Sequence, residues 1–451
     1  MRIPNHPPDW RTAFSRLDPS RDVELLERVF LAGRGGLVNG KYSHWDSLRF
    51  QKPPDGLTRG QWWLGLKLAR TQMYRALPVR DTSGRPFQFA MPDPVLRMVH
   101  EIDRDASGKI AMSGQVTDPG YRDRYIVNSL IEEAITSSQL EGAATTTRVA
   151  KQMLKSGRRP RDRSEQMIVN NYQAMRFVRE FVHEELTPDQ VRSIHRIVTR
   201  DTLADPVDSG RFRRADDVVV IDAQGNTIHV PPPAAELDER VAEMCRFANA
   251  SEDEGGFLHP LLRAIVLHFW LAHDHPFVDG NGRTARALFY WSMLSSGFWL
   301  TEFLSISRIL RSAPAEYPRS FLFSETDDND VTYFIIYQLS VIQRAIGHLH
   351  QYLDRKQREL LATERLLRGF EELNHRQVAL LSHALKHPDH PYTIKSHQQS
   401  HNVSYQTART DLLALSRLGI LEERKRGRAL VFHAPSNLAD LLGRHVGGTA
   451  T

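Results

Sequence analysis

The stretch HDHPFVDGNGRTAR, from His273 to Arg286, sets two histidines, two aspartates, an asparagine, two glycines and two arginines in a single short run. Turns favour Asp, Gly and Asn because these residues tolerate positive φ and bond back to their own backbone, but a turn has no use for two arginines behind a histidine. Upstream, the apolar run from His259 reads as a helix that should end near Asp274, just before Pro276. Downstream, a helical period resumes at Thr284, with Ala285, Leu288, Phe289 and Met293 on one side. The stretch is therefore a helix-loop-helix junction whose loop is Asp279-Gly280-Asn281-Gly282.

That junction suits the handling of phosphate. Successive backbone N–H groups of a Gly-Asn-Gly loop can point into one concavity at a helix N-terminus, where the positive end of the helix dipole adds to them. Arg283 and Arg286, expected in the first turn of the following helix, can clamp further phosphate oxygens in bidentate fashion. Asp279 suits a Mg²⁺ bridging those phosphates, because a hard cation prefers carboxylate and phosphate oxygen. His275 is a base suited to taking a proton from an attacking hydroxyl. Base, metal carboxylate and anion hole together predict transfer of a phosphate-containing group.

The rest of the chain sets limits on this reading. Its 451 residues exceed what one core usually supports, so two or three domains are expected, and 41% hydrophobic residues suffice to fill them. A formal charge of +5 is too small by itself to demand a nucleic-acid partner. The lone Cys245 excludes an internal disulfide and a cysteine-rich metal site. The start, MRIPNHPPDW, has no apolar signal core, and the most apolar run, LLRAIVLHFWLAH from Leu261, is short and carries Arg263 and His268. A cytoplasmic protein without membrane association is the expectation.

Helical periodicity dominates, over 124–140, 164–185, 187–201, 237–250, 259–274, 284–296 and 331–373. One exception is VVVIDAQGNTIHVPPP, where β-branched runs over 218–221 and 227–230 flank a Gly-Asn turn and read as a hairpin. The first 120 residues, rich in Trp, Pro and Gly, yield no firm element map. From Asn374 onward Lys and Arg outnumber Asp and Glu by ten to five, so the charge excess of the whole chain is concentrated there. That segment reads as helix, helix, turn, helix and two short strands, a winged helix-turn-helix pattern. Val403 and Ser404 open its third helix, Gly419 stops it, and strands over 420–421 and 429–432 flank a basic wing tip of Arg424, Lys425, Arg426, Gly427 and Arg428. Tyr405, Gln406, Thr407 and Arg409 are the candidate groove-facing residues for DNA, with the wing on phosphates. Winged helices also serve as protein-docking or dimerisation modules, and that alternative stays open.

At every specified position HPFVDGNGRTAR matches the pattern His-x-Phe-x-Asp/Glu-Gly-Asn-Gly-Arg-x-x-Arg, and the chain resembles the Fic family over about residues 121–373. The resemblance implies a mainly helical Fic-type bundle with a small hairpin flap, and transfer of AMP from ATP to a Ser, Thr or Tyr hydroxyl of a target protein. It implies that His275 deprotonates that hydroxyl, Phe277 seats the motif in the core, and Asp279 holds Mg²⁺ at the α- and β-phosphates. Gly280, Asn281 and Gly282 would line the anion hole, with Arg283 and Arg286 on the distal phosphates.

Two further segments take meaning from the same resemblance. TSSQLEGAAT, from Thr136, puts Ser137 and Glu141 on one helix face with Gly142 able to supply a left-handed cap. It is similar to the family's inhibitory helix, Ser/Thr-x-x-x-Glu-Gly/Asn, which implies that Glu141 pairs with Arg286 and keeps it from the ATP γ-phosphate. The hairpin resembles the family's flap, on whose edge, Val218, Val219 and Val220, an extended target segment can add by main-chain bonds; a plain lid over the nucleotide is the other reading. The expected organisation is a helical region over 1–120, a catalytic core over 121–373 with the inhibitory helix near 124–142, and a winged helix over 374–451, with a homodimer allowed.

Other functions fit less of the sequence. A phosphohydrolase using His259, His268, His273 and Asp274 as metal ligands leaves the Gly-Asn-Gly loop and both arginines unexplained. A DNA-binding regulator with a nucleotide-sensing core, removal of AMP, and transfer of another phosphate-containing group all remain compatible with the motif.

Overall fold

The structure is a computed structural model that describes residues 2–106, 119–222, 224–250, 256–368, 373–387, 389–401, 403–426 and 429–447. It divides into two compact units, Met1–Leu349 and His350–Thr451, and the helix Thr332–Arg368 carries the chain from one into the other.

The first unit is built around the helices Pro260–Asp274 and Asn281–Ser295, which pack against each other on either side of the motif loop. Pro260–Asp274 is mostly apolar and buried on every side, with Leu262, Ile265, Val266, Phe269 and Trp270 all in the core. His259 caps it through its side chain and Pro260 supplies the fixed φ of its first turn. Helices Pro119–Leu140, Arg163–Glu180, Pro188–Val198 and Leu237–Asn249 complete the bundle. Thr187 and Gln190 form a reciprocal capping box at the start of Pro188–Val198.

The stretch before residue 107, which the periodicity left unmapped, folds into the same unit. Its longest elements are the helices Val23–Gly33, Arg59–Thr71 and Asp93–Ala106 and a hairpin of Arg75–Arg80 with Pro86–Phe89. It is fastened by charge as well as by apolar contact. Buried Lys67 meets Asp327 at 2.8 Å, buried Arg70 donates to Tyr333 Oη at 2.7 Å, and Tyr42 donates to Asp330 at 2.5 Å. These partners are far apart in sequence, so no local pattern could have disclosed them.

Several element ends differ from the sequence reading. The hairpin expected over 218–230 has strands of only Val220–Ile221 and Thr227–His229, leaving Val218 and Val219 outside the ladder. Its turn is held by Asp222, whose carboxylate accepts from the Gln224 and Asn226 N–H groups, with Gly225 at positive φ. The motif's second helix begins at Asn281, three residues before Thr284, because left-handed Gly280 (φ 87°) completes the turn and stands as the helix N-cap. Asn281 and Gly282 are therefore helical, and Arg286 lies in the second turn.

In the second unit, helices His375–Lys386, Ile394–His401 and Tyr405–Arg417 bury Leu381, Ala384, Ala408, Leu412 and Leu415 against Phe432 of a three-stranded antiparallel sheet. Ser404 caps the third helix through Thr407 N–H, and Gly419 follows it at positive φ. Arg424, Lys425 and Arg426, expected at a loop tip, belong to the strand Glu422–Arg426, paired with Val431, Leu430 and Ala429. Arg428 lies outside the described residues.

Candidate active site

His275 ends the helix Pro260–Asp274 in a left-handed conformation (φ 45°, ψ 56°), a rare state for a residue with a Cβ that costs about 1–2 kcal/mol. The turn breaks the helix and starts the loop. Nδ1 donates to the Ala272 carbonyl at 3.2 Å, which leaves the lone pair on Nε2. Burial drives the ring's pKa down to about 4; the Ala272 bond opposes this, while His229 and Arg213 add to it. Near neutral pH the imidazole is uncharged and able to accept a proton.

The loop after it is closed by a reciprocal clasp: Phe277 N–H donates to Asn281 Oδ1 at 2.9 Å, and Asn281 Nδ2 donates to the Phe277 carbonyl at 2.7 Å. Asn281 thus spends its amide on shaping the loop. Phe277 is fully buried and lies flat on His195, with ring centroids 3.7 Å apart. His195 accepts from Gly210 N–H at Nδ1 (3.0 Å) and donates from Nε2 to the Asp279 carbonyl (2.8 Å). A single neutral tautomer satisfies both bonds, and burial, which lowers the ring's pKa to about 4, favours that form. Gly280 faces the same histidine; a Cβ there would stand 2.8 Å from Thr199 Cγ2.

Two buried guanidinium groups line the start of Asn281–Ser295. Arg283 donates to the Val198 carbonyl at 2.7 Å and meets Asp279 at 3.4 Å. Arg286 donates from Nε to Ser137 Oγ (2.8 Å) and from Nη2 to the Ser137 carbonyl (3.0 Å) and Glu141 Oε1 (2.8 Å). Arg283 Nε and Arg286 Nη1 are buried with no hydrogen-bond partner among the described residues, so the site holds cationic N–H groups not spent on protein. Asp279 is 40% exposed in its side chain, between Arg163 (3.2 Å) and Arg283.

The partner of Arg286 comes from the end of Pro119–Leu140. Gly142 (φ 91°) closes that helix in a Schellman turn: Ala143 N–H donates to the Ser138 carbonyl and Gly142 N–H to the Gln139 carbonyl. Buried Glu133, on the same helix, accepts from Ser305 Oγ and from Ser307 N–H and Oγ, anchoring the segment beneath Glu141. Glu141 also needs Gly282, since a Cβ at 282 would come within 2.2 Å of Glu141 Oε1.

The residues singled out in 275–286 and 137–142 therefore converge on one place. Arg213 was missed. Its Nε donates to the His275 carbonyl (3.1 Å), its N–H to the Pro276 carbonyl (2.8 Å), and its guanidinium to the Ala215 and Pro232 carbonyls at the two feet of the hairpin. Arg163 and His195 were missed too, because each sits on a helix whose periodicity explains it as surface or core. The rival metal set does not assemble: His259 meets Asp103, His268 meets Tyr317 Oη, and His273 meets Asp274.

Comparison with known proteins agrees with this geometry. Residues 185–293 match the Fic/DOC family. A protein adenylyltransferase Fic from Nematostella vectensis is 36% identical over 115 residues, covering 26% of this chain and 24% of the relative. One from Drosophila ananassae is 27% identical over 292 residues, covering 61% and 56%. The chain thus spans from about a quarter to about half of these relatives' length. The crystal structure of a Fic family protein from Desulfovibrio desulfuricans G20 shares the fold at a TM-score of 0.52 and 18% identity, covering 76% of this chain and 96% of that one. Residues 185–293 of this chain thus match the Fic/DOC family, within a mainly helical fold shared with that Fic family structure.

Proposed function

We propose that the chain is a protein adenylyltransferase, moving AMP from ATP onto a Ser, Thr or Tyr hydroxyl of another protein, as the names of its relatives suggest. The observation that carries this reading is the pairing of a neutral His275, its Nε2 unprotonated, with an anion loop whose buried arginines keep unspent N–H groups. His275 Nε2 takes the proton of the target hydroxyl, the oxygen forms a bond to the α-phosphorus, and the bond to the β-phosphate oxygen breaks, releasing pyrophosphate. Backbone N–H groups at 281 and 282 and the two arginines hold the phosphates before and after transfer.

Asp279 fits a Mg²⁺ site, since its half-exposed carboxylate flanks the anion loop and such an ion is usually held by one or two carboxylates plus substrate phosphates. When bound, the ion neutralises charge on the departing pyrophosphate.

Glu141 restrains the reaction in this reading by occupying Arg286, with Ser137 supplying the remaining bonds. The hairpin suits a docking role, because its strands pair only with each other among the described residues and Val219, Ile221 and Val230 are exposed. The C-terminal unit reads as a winged helix, and exposed Tyr405, Gln406 and Arg409 at the start of its third helix, with Arg424 and Lys425, suit contact with DNA.

His275→Ala is expected to abolish transfer of labelled AMP while ATP binding survives. Wild-type labelling by the alanine variant would remove the base assignment.

A further inference from the structure

Beside the active site, three side chains that play no part in the proposed transfer approach one another. His229 lies on the hairpin strand Thr227–His229, His273 on the last turn of Pro260–Asp274, and Glu325 on the helix Glu316–Thr326. One ligand atom from each lies within 4.8 Å of the other two. No other group of three or more His, Cys, Asp or Glu among the described residues converges in this way. The two imidazoles have centroids 4.8 Å apart, and His229 Nδ1 is 2.9 Å from Glu325 Oε1.

The second ring nitrogens of both histidines are held by hydrogen bonds. His273 Nδ1 donates to Asp274 Oδ1 at 3.1 Å, which leaves the ring's lone pair on Nε2. Asp274 is itself fixed by Trp270 Nε1 at 2.9 Å and Arg240 at 3.2 Å. His229 Nε2 donates to the His273 carbonyl at 2.7 Å, which directs Nδ1 toward Glu325. A metal-binding histidine usually gives its second ring nitrogen to a carboxylate or a backbone carbonyl, and here one histidine does each. The cluster opens on a cavity of about 310 Å³ lined also by Asp81, Thr82 and Asn329, with room for an approaching ion and its water. Tetrahedral coordination with bonds near 2.0–2.1 Å sets ligand atoms about 3.3 Å apart, so a small rotation of the rim residue Glu325 completes the set.

We propose that His229, His273 and Glu325 bind a borderline divalent transition ion, of which Zn²⁺ is the representative, with water as the fourth ligand. Two imidazoles and one carboxylate suit this class rather than Mg²⁺ or Ca²⁺. The ion takes the place of the proton shared by His229 and Glu325. It ties the hairpin to the helix end that presents His275, so metal occupancy sets how firmly the hairpin is held. The inference does not depend on the identity of the transferred group.

The test uses the full chain, stripped with EDTA and titrated with Zn²⁺ against a chromophoric chelator. One tightly bound Zn²⁺ is expected from this site, with affinity reduced about 100-fold or more in His229→Ala and in Glu325→Gln. A second histidine cluster, His383 with His387 and His390, lies in the C-terminal unit, with centroids 4.5 and 5.0 Å from His383. Replacing those three by alanine should leave the tight site intact. Zinc should also slow hydrogen exchange over residues 227–230 in the wild type and not in Glu325→Gln, a near-isosteric change that keeps the test valid if His229→Ala folds poorly. Failure of the wild type to take up zinc, or unchanged affinity in the two ligand variants, would overturn the proposal.

Discussion

Arg283 and Arg286 at the motif loop are 0% and 1% exposed, whereas Arg424 and Lys425 on the strand Glu422–Arg426 are exposed, with Arg424 paired to Glu422 two residues away. Both regions are basic, and both were singled out as phosphate contacts. Burying a guanidinium costs several kcal/mol unless it is hydrogen-bonded and paired, so the loop arginines are committed to one geometry by Val198, Asp279, Ser137 and Glu141. The strand residues carry no such commitment, and their fields are screened within about 10 Å at 0.1 M salt. Changes at the loop should therefore have large effects that salt barely alters. Changes at the strand should be small and salt-dependent.

In the loop backbone itself, a large effect is expected at Gly280. Alanine there would be held at φ 87° with its Cβ 2.8 Å from Thr199 Cγ2, so it should cost about 1–3 kcal/mol of stability. It should also displace the 281 and 282 N–H groups, lowering AMP transfer about 100-fold or more when tested in the Glu141→Gly background, where the rate is measurable. Equal rates with and without Gly280→Ala would mean that the loop backbone does not hold the phosphates.

A second effect is on pH. His44, His195 and His275 have pKa values pushed down to about 4, chiefly by burial. Unfolded, each takes up a proton near pH 6.5, so between about pH 6.5 and 4 the unfolded chain binds more protons than the native one. Stability should therefore fall as pH drops through that window. The rate of the Glu141→Gly variant should stay flat from pH 6 to 8, because His275 is already neutral there. An inflection near pH 6.5 in that rate would contradict a buried, depressed His275.

The smallest effect belongs to the strand. Arg424→Gln with Lys425→Gln should change stability by no more than about 0.5 kcal/mol and reduce the salt slope of DNA binding by about 2. An absence of DNA affinity in the wild type at low salt would leave these charges as a solvated sheet edge.

What could be read from the sequence follows the same division. Residues 275–286 disclosed themselves because their chemistry is compressed into one run, whereas Ser137, Glu141 and Gly142 carry little by spacing alone and stood out only through the resemblance to the Fic family's inhibitory helix. The helix start was misplaced by three residues because Asn281 reads as a loop residue, while in the fold its amide turns back on Phe277. Arg213 was illegible for another reason: its role is to join His275, Pro276, Ala215 and Pro232, and only the tertiary fold brings those carbonyls together. The same holds for Lys67 with Asp327 and for His229 with Glu325.

The central claim is that a competent site is held back by one carboxylate on one arginine. Glu141 contacts Arg286 at 2.8 Å from a helix end already closed by Gly142 and anchored by Glu133, so Glu141→Gly should remove the acid and leave the fold in place. The measurement is incorporation of labelled AMP per minute, at equal ATP and Mg²⁺, by wild type, Glu141→Gly and Glu141→Gly with Arg286→Ala. The variant should label faster than wild type by roughly one to three orders of magnitude, equivalent to about 1–4 kcal/mol of lost competition, and the added Arg286→Ala should remove most of that gain. Equal rates for wild type and Glu141→Gly, both folded by circular dichroism, would contradict the account and leave the Glu141 contact as an ordinary ion pair at a helix end.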